Sequence, residues 1–315
     1  MSHSIRAFPT TEGRPLPREA RRLAHQGTSW SAPRDETSRW TERCAVPWGR
    51  HGLLVVGAIL VGLVVVMALV GLVATPYDPR AMQGAARGLG PSLAHPMGTD
   101  QFGRDILSRV MKGAGVALLV GGVSAGLGLA IGGPLGALAG FFRGWADEGI
   151  MRVMDGLFAF PATLLAIAIV GMLGPGLANA ILAIGVAYVP VFARLARASV
   201  IAQVESDYVE AARAVGCKPG RLLWVHILPN GLAPLLVQAT VAFGGAILAE
   251  AALSYLGLGV QPPDPSWGQM LYDAHSYLGV APWLAVFPGL AVALTVLGFN
   301  LLGDGLRDYL DPQRR

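Results

Sequence analysis

Five long stretches of this chain carry almost no charged residue. A helix needs about 20 mostly apolar residues to cross about 30 Å of hydrocarbon, so stretches of this length favour membrane-spanning helices. The third stretch, between Asp155 and Arg194, is too long for one helix and too short for three. Because Gly174-Pro175-Gly176 interrupts it, we expect two helices joined by a tight hairpin there.

With two helices in the third stretch and one in each of the other four, we expect six transmembrane helices. The predicted fold class is an all-α polytopic membrane protein. The predicted spans are about 53–74, 116–141, 157–173, 177–195, 232–256 and 282–302. The composition agrees, because 53% of the residues are hydrophobic and only 14% are charged, whereas a soluble domain carries about a quarter charged residues. The net charge of +4 is spread too thinly to favour a nucleic-acid partner.

The distribution of Lys and Arg predicts the orientation of the spans. The two tails and the segments 143–152 and 194–230 hold 19 of these residues, and the segments on the opposite side hold 5. Positive residues concentrate on the cytoplasmic side, so we expect a multi-pass protein of the cell (inner) membrane with both termini cytoplasmic. Residues 1–47 lack apolar periodicity and are predicted to be a disordered cytoplasmic tail, while 48–315 form the transmembrane domain, with Trp48 as an interfacial anchor.

The sequence offers little chemistry of its own. Its only lysines, Lys112 and Lys218, follow Met111 and Cys217, so the Gly-Lys pair of a Walker A phosphate loop is absent. The six histidines form no H-E-x-x-H or H-x-x-E-H pattern, and no G-x-S-x-G motif occurs. We therefore expect neither a catalytic site nor a metal site in this chain, and any driving force has to come from elsewhere.

Two features of the predicted spans bear on packing and function. Glu250 is the only acid inside a span, and we expect it to make a structural hydrogen bond near the outer end of its helix, with a substrate or proton site as the alternative. Gly128, Gly132, Gly136 and Gly140 line one helical face at four-residue spacing. This stripe predicts close packing, either against another helix of the same chain or against a second membrane subunit.

The segment after the fourth span is the most informative part of the chain. Asp207 is placed to N-cap a short helix with Glu210 reaching back, and Gly216 is placed to end that helix as its C′ residue. A helix of about eight residues is about 12 Å long and is not stable alone, so it has to pack on other elements. Ala211, Ala212 and Ala214 would give it a low surface that suits a groove in a partner, whereas a plain connecting helix under the bundle is the alternative.

These residues resemble the EAA loop of importer-type ABC-transporter permeases. The resemblance rests on Glu210-Ala211-Ala212, on Gly216 and on Ile227-Leu228-Pro229. Two further blocks, His95 to Arg109 and Glu250 to Pro263, are similar to blocks of the dipeptide, oligopeptide and nickel permease subfamily. They match its second permease subunit, the DppC or OppC type.

The resemblance implies a type I ABC importer permease fold and a set of partners. These are a homologous second permease in a heterodimer, two cytoplasmic ATP-binding subunits and an extracytoplasmic substrate-binding protein. The partner ATPases use ATP and Mg, and this chain binds no cofactor. The residues implied in ATPase coupling are Asp207, Glu210, Ala211, Ala212, Gly216 and Pro229.

The outer segments would then face the binding protein. Gly98, Asp100, Arg104, Asp105 and Trp267 are candidates for a periplasmic gate or for contact with that protein. A solvated charged turn is the alternative for the three charged residues, and a rigid loop is the alternative for Trp267.

The substrate is less constrained than the family. The near absence of charge in the spans favours dipeptides or oligopeptides, and a nickel chelate is the alternative, although a bare metal ion would need ligands that the path lacks. A secondary transporter is a weaker alternative, because such proteins use broken helices and intramembrane charges that the sequence does not show.

Overall fold

The computed structural model describes residues 52–310, which form a bundle of helices. The helices are α1 (Gly52–Val73), α2 (Ile106–Phe142), α3 (Gly144–Phe158), α4 (Ala162–Leu173), α5 (Leu177–Val204), α6 (Asp207–Ala214), α7 (219–230), α8 (Leu232–Tyr255), α9 (Trp267–Ala274) and α10 (Trp283–Leu310). The predictions for the tail 1–47 and for Trp48 lie outside the described residues.

Five of these helices, α1, α2, α5, α8 and α10, are long and apolar enough to cross a membrane. Helices α3 and α4 form a sixth candidate span only as a pair, because the chain bends by 86° between them. The prediction of one continuous helix over 157–173 is therefore wrong, because the chain bends between two helices within this range. Pro161 has no N–H to donate and disfavours a helical conformation at Phe160, so the helix that ends at Phe158 restarts at Ala162.

The second helix begins earlier than the predicted span 116–141. Asp105 is its N-cap, and the carboxylate accepts a hydrogen bond from the Ser108 N–H. This cap satisfies a free N–H of the first turn and starts the helix at Ile106, inside the segment His95 to Arg109, which we call the polar block. Helices α5 and α10 likewise continue past the predicted spans, to Val204 and Leu310.

The first and last helices run antiparallel, and this defines the two ends of the bundle. A Cβ built on Gly305 would lie 2.7 Å from Leu54, and one on Gly57 would meet the backbone at Leu301 and Leu302. We call the end where α1 begins and α10 ends the base. The other end, the top, carries residues 74–105, 174–176 and 256–282, where the Gly176 N–H donates to the Leu258 carbonyl at 3.3 Å.

The glycine stripe of α2 packs within the chain. A Cβ on Gly136 would overlap the Ala193 backbone, one on Gly132 would meet the Val189 carbonyl, and one on Gly140 would lie 2.8 Å from the Arg197 carbonyl. All of these neighbours belong to α5. The intrachain interpretation of the stripe is therefore confirmed, and α2 and α5 form the closely packed centre of the bundle.

Candidate functional site

The short helix α6 begins one residue earlier than the sequence suggested. Ser206, not Asp207, is the N-cap, with extended backbone angles of φ −84° and ψ 148°. Its carbonyl accepts from the Val209 N–H at 3.0 Å, but its hydroxyl donates to the Gln203 carbonyl at 2.5 Å and does not cap the helix. Asp207 and Glu210 lie in the first turn, where negative charge interacts favourably with the helix dipole, and both are exposed.

The end of α6 is a complete Schellman motif. The Gly216 N–H donates to the Arg213 carbonyl at 2.9 Å, and the Cys217 N–H donates to the Ala212 carbonyl at 3.0 Å. Gly216 has φ +81°, a conformation that residues with a side chain rarely adopt. The structure therefore confirms that Gly216 is the C′ residue. The sequence could show this because the geometry requires one particular residue type.

One side of α6 is anchored to the base of the central helices. Val209 is fully buried and belongs to a cluster with Ala137 of α2 and Val200 of α5. Leu222, Leu223 and Ile227 of α7 complete this cluster. The short helix is therefore held on the ends of two long helices, as its length requires.

The other side of α6 faces outward. Ala211 and Ala214 are exposed, as predicted, but Ala212 is half-buried because it packs against the cluster under the helix. Apolar side chains of the same loop are also exposed, namely Val215 at 85%, Trp224 at 44% and Val225 at 56%. These residues were not predicted from the sequence, although the distribution of apolar residues over two faces of α7 is a usable signal for Trp224 and Val225. We call residues 206–230 the docking loop.

Helix α7 contains a π-helical stretch, Leu222–Ile227, between short α-helical turns. The Leu228 N–H donates to the Leu223 carbonyl, five residues back. Pro229 follows directly, and its missing N–H removes the next helical donor. Pro229 itself is exposed. It therefore shapes the end of the docking loop and lies next to the start of α8.

The charged residues of the polar block are buried, which contradicts the alternative of a solvated charged turn. Asp100, Arg104 and Asp105 are 6%, 5% and 2% exposed, and Arg109 is 1% exposed. The Asp100 carboxylate accepts from Arg104 Nε at 2.5 Å and from the Phe102 and Arg104 N–H groups at 2.8 and 2.9 Å. Charges that leave water are retained when they are paired and hydrogen-bonded, as these are.

Asp273 of α9 completes this network. Arg104 donates to it at 3.4 Å, and Arg109 Nε lies 3.9 Å from Asp100. Two guanidinium groups therefore face two carboxylates. Burial raises the pKa of the Asp273 carboxyl above its usual range, although Arg104 and Arg109 act in the opposite direction. Asp273 could not be predicted as a partner from the sequence, because it lies 169 residues from Arg104.

Asp105 and Gly98 fix the chain at the start of α2. Besides capping the helix, Asp105 accepts from the Ser108 hydroxyl at 2.7 Å and lies 2.9 Å from His95 Nδ1. Gly98 has φ +78°, and a Cβ there would lie 2.6 Å from the Leu89 carbonyl and 2.9 Å from Trp283. Asp105 and Gly98 therefore fix the conformation of the turn before α2 through contacts within the chain.

Trp267 is also an internal residue. It is 1% exposed, and its indole N–H donates to the Val110 carbonyl of α2 at 3.0 Å. The indole ring packs so closely on Gly113 that a Cβ at Gly113 would lie 2.7 Å from the ring. Trp267 therefore fixes α9 against α2. Trp267 is therefore buried within the chain, as Asp100, Arg104 and Asp105 are, and a role of these residues at a periplasmic gate or in contact with a binding protein stays a prediction.

Glu250 lies near the top end of α8 and is 2% exposed. It accepts from the Ser254 hydroxyl at 2.6 Å, and the Ser254 oxygen in turn accepts from the Val260 N–H at 3.1 Å. This chain of hydrogen bonds ties the helix end to the loop that follows it. The geometry matches the structural interpretation of Glu250.

Comparisons with known proteins point to transport. Residues 132–315 match the family described as binding-protein-dependent transport system inner membrane component. The chain is similar to the dipeptide transport system permease protein DppC of Alkalihalophilus pseudofirmus, with 46% identity over 84% of this chain and 88% of that protein. It is also similar to the glutathione transport system permease protein GsiD of Pectobacterium atrosepticum, with 44% identity over 84% and 88%.

Two further similarities extend this result. The di/tripeptide transport system permease protein DppC of Pseudomonas aeruginosa is 46% identical over 82% of this chain and 87% of that protein. Among solved structures, an inward-facing conformation of the MetNI methionine ABC transporter matches with a TM-score of 0.54 and 21% identity. It covers 62% of this chain and 93% of that chain. At this identity, the match describes the fold.

Proposed function

The chain belongs to the family of binding-protein-dependent transport system inner membrane components, and from this premise we propose that it is a permease subunit of an ATP-driven importer of short peptides. The relatives named above transport dipeptides, di- and tripeptides, and glutathione, which is itself a tripeptide. Their shared substrate class is a short chain with free charged ends. The sequence-based preference for peptides over a nickel chelate agrees with this class.

One observation carries the coupling role: a rigid short helix is anchored on one side and exposed on the other. The Schellman motif fixes the end of α6, and Val209 anchors it to α2 and α5. The exposed residues of the docking loop supply the apolar surface and the charges that a partner can bind. We infer that two cytoplasmic ATP-binding subunits supply this partner, one to each permease of a heterodimer.

The proposed mechanism follows from these contacts. Binding of ATP and Mg by the partner subunits draws them together and displaces the docked α6. Because α6 is packed on the bases of α2 and α5, its displacement moves these two helices with it. The bundle then changes the side to which it opens, and the substrate delivered by the binding protein passes through.

The proposed orientation places the base in the cytoplasm and the top outside the cell. The excess of Lys and Arg at the base supports this assignment. It places the docking loop where ATP-binding subunits are found and the top loops where an external binding protein delivers its ligand. Both termini are then cytoplasmic in the inner membrane.

Reconstitution into proteoliposomes tests the proposal. The chain is combined with its second permease, the two ATP-binding subunits and the binding protein, and uptake of a radiolabelled dipeptide is measured with and without ATP. We expect ATP-dependent uptake that Gly216→Val abolishes, because a β-branched residue does not tolerate φ +81°. Gly216→Asn is the matched control, since Asn adopts this conformation more readily and should retain most uptake.

Several outcomes would contradict the proposal. Normal uptake by the Gly216→Val complex would remove the coupling role. Absence of dipeptide uptake in the wild-type complex, with a nickel chelate found on the captured binding protein by mass spectrometry, would replace the substrate class and leave the coupling role standing.

A further inference from the structure

A cavity of about 690 Å³ opens at the top of the bundle. Its volume lies within the range of about 300–1,000 Å³ that is typical of small-ligand sites. Four segments that are distant in sequence line it: the turn after α1, the first turns of α2, the α4–α5 hairpin and the loop before α9. The residues that matter for its charge are Asp78, Arg80, Lys112 and Asp264.

The charges around the cavity are not all paired. Arg80 and Asp264 form an ion pair with each other. The Asp78 carboxylate accepts from the Arg80 backbone N–H at 2.9 Å, which does not neutralise it. The Lys112 side chain takes part in none of the ion pairs or side-chain hydrogen bonds described for residues 52–310. The cavity therefore presents one ammonium group and one carboxylate without a side-chain partner.

The backbone around Lys112 is held in place by contacts at the start of α2. Asp105 caps the helix at its start, and Trp267 packs on Gly113, the residue after Lys112. Lys112 itself is half-buried. A cation held on a rigid helix at the wall of a partly enclosed cavity attracts an anion more strongly than one in bulk water, because the effective dielectric constant is lower.

We infer that Lys112 binds the free α-carboxylate of the peptide as it enters the bundle from the top. This inference rests on the proposed function and names a contact within it. A short peptide carries a carboxylate at one end and an ammonium group at the other, and Asp78 gives the same cavity a negative charge. Recognition of the peptide ends, rather than of its side chains, suits a permease whose substrates vary in sequence.

Substitution at Lys112 in the reconstituted complex tests the inference. Lys112→Met removes the charge at similar length, and we expect dipeptide uptake at saturating loaded binding protein to fall about tenfold or more, because a charge-assisted hydrogen bond is lost. Lys112→Arg keeps the cation and should retain most uptake. The double variant Arg80→Gln/Asp264→Asn removes a neutral pair, leaves the net charge of the cavity unchanged and should have a much smaller effect than Lys112→Met.

A second measurement covers the case in which Lys112→Met fails to assemble. In the wild-type chain with its second permease, purified without the ATP-binding subunits that would cover Lys218, both lysines of the chain are acylated with a small amine-reactive reagent and quantified by mass spectrometry. Dialanine should slow acylation of Lys112 but not of Lys218, and dialanine amide, which lacks the carboxylate, should slow neither.

The results separate the two proposals. Uptake by Lys112→Met at the wild-type level, or equal protection of Lys112 by dialanine and its amide, would overturn the carboxylate site. Absence of any ATP-dependent uptake in the wild-type complex would instead overturn the peptide importer itself.

Discussion

The docking loop and the polar block resemble each other in sequence and differ in structure. Both are compact runs of charged and small residues next to long apolar segments. In the docking loop, backbone geometry at Gly216 and a few buried apolar residues fix the shape, and the charged side chains stay exposed. In the polar block, the charged side chains are themselves the internal contacts, and Asp100, Arg104 and Asp105 are buried.

This difference separates two roles that a charged motif can have. A shape fixed by backbone and apolar contacts leaves side chains free to bind a partner. A shape fixed by buried charges leaves none of those side chains free to bind a partner, so the polar block organises the start of α2. We infer that the motif of the polar block serves the architecture of the outer end, while the motif of the docking loop serves assembly.

The largest effect is expected from breaking the buried network. Asp100→Ala leaves Arg104 and Arg109 with Asp273 as their remaining carboxylate, since the other described acceptor of Arg109 is the Pro79 carbonyl. Removing one member of a buried ion pair costs about 3–5 kcal/mol. Asp264→Ala breaks the exposed pair with Arg80 and should cost at most about 1 kcal/mol. Thermal unfolding of the purified variants in detergent measures both, and equal losses of stability would contradict the distinction between buried and exposed charges.

A smaller effect is expected from loosening the docking loop. Val209→Ala removes two buried methyl groups under α6, and the lost burial and the cavity together cost about 2 kcal/mol. Val215→Ala, at an 85% exposed position of the same loop, should change stability by less than about 0.5 kcal/mol. The same unfolding assay applies. A destabilisation by Val215→Ala as large as that by Val209→Ala would show that the loop is not anchored as described.

The smallest effect tests one hydrogen bond of the top. Trp267→Phe keeps a ring on Gly113 but loses the bond to the Val110 carbonyl, so we expect a loss of about 1 kcal/mol. Trp224→Phe, at a half-exposed position of the docking loop, should leave stability nearly unchanged. If the two variants were equally stable, Trp267 would not hold α9 in place through its indole N–H.

Features that depend on local sequence could be predicted. The apolar stretches predicted the long helices, Gly216 predicted the end of α6, and the four-residue glycine spacing predicted close packing of α2. Each of these follows from length, residue type or periodicity alone. The Ser206 cap was missed because Ser and Asp are both good N-caps and the sequence does not show which one starts the helix.

Features that depend on distant partners could not be predicted. The polar block is covered by residues that are distant in sequence. Asp273 contacts Arg104, 169 residues away, and Trp283 contacts the Thr99 carbonyl, 184 residues away. The break of the third span at Pro161 had a local signal, but the long uncharged stretch outweighed it. The cavity beside Lys112 is formed by four segments that are distant in sequence, and no residue spacing in the sequence predicts that they lie together.

Cysteine labelling tests the central comparison most directly. In a background with Cys44 and Cys217 changed to Ser, Ala211→Cys in the docking loop and Ser108→Cys in the polar block are treated with a maleimide, before and after assembly with the ATP-binding subunits. We predict that position 211 reacts in the free chain and is protected on assembly, while position 108, which is fully buried, does not react in either state. Rapid labelling at position 108, or no protection at position 211, would contradict the account.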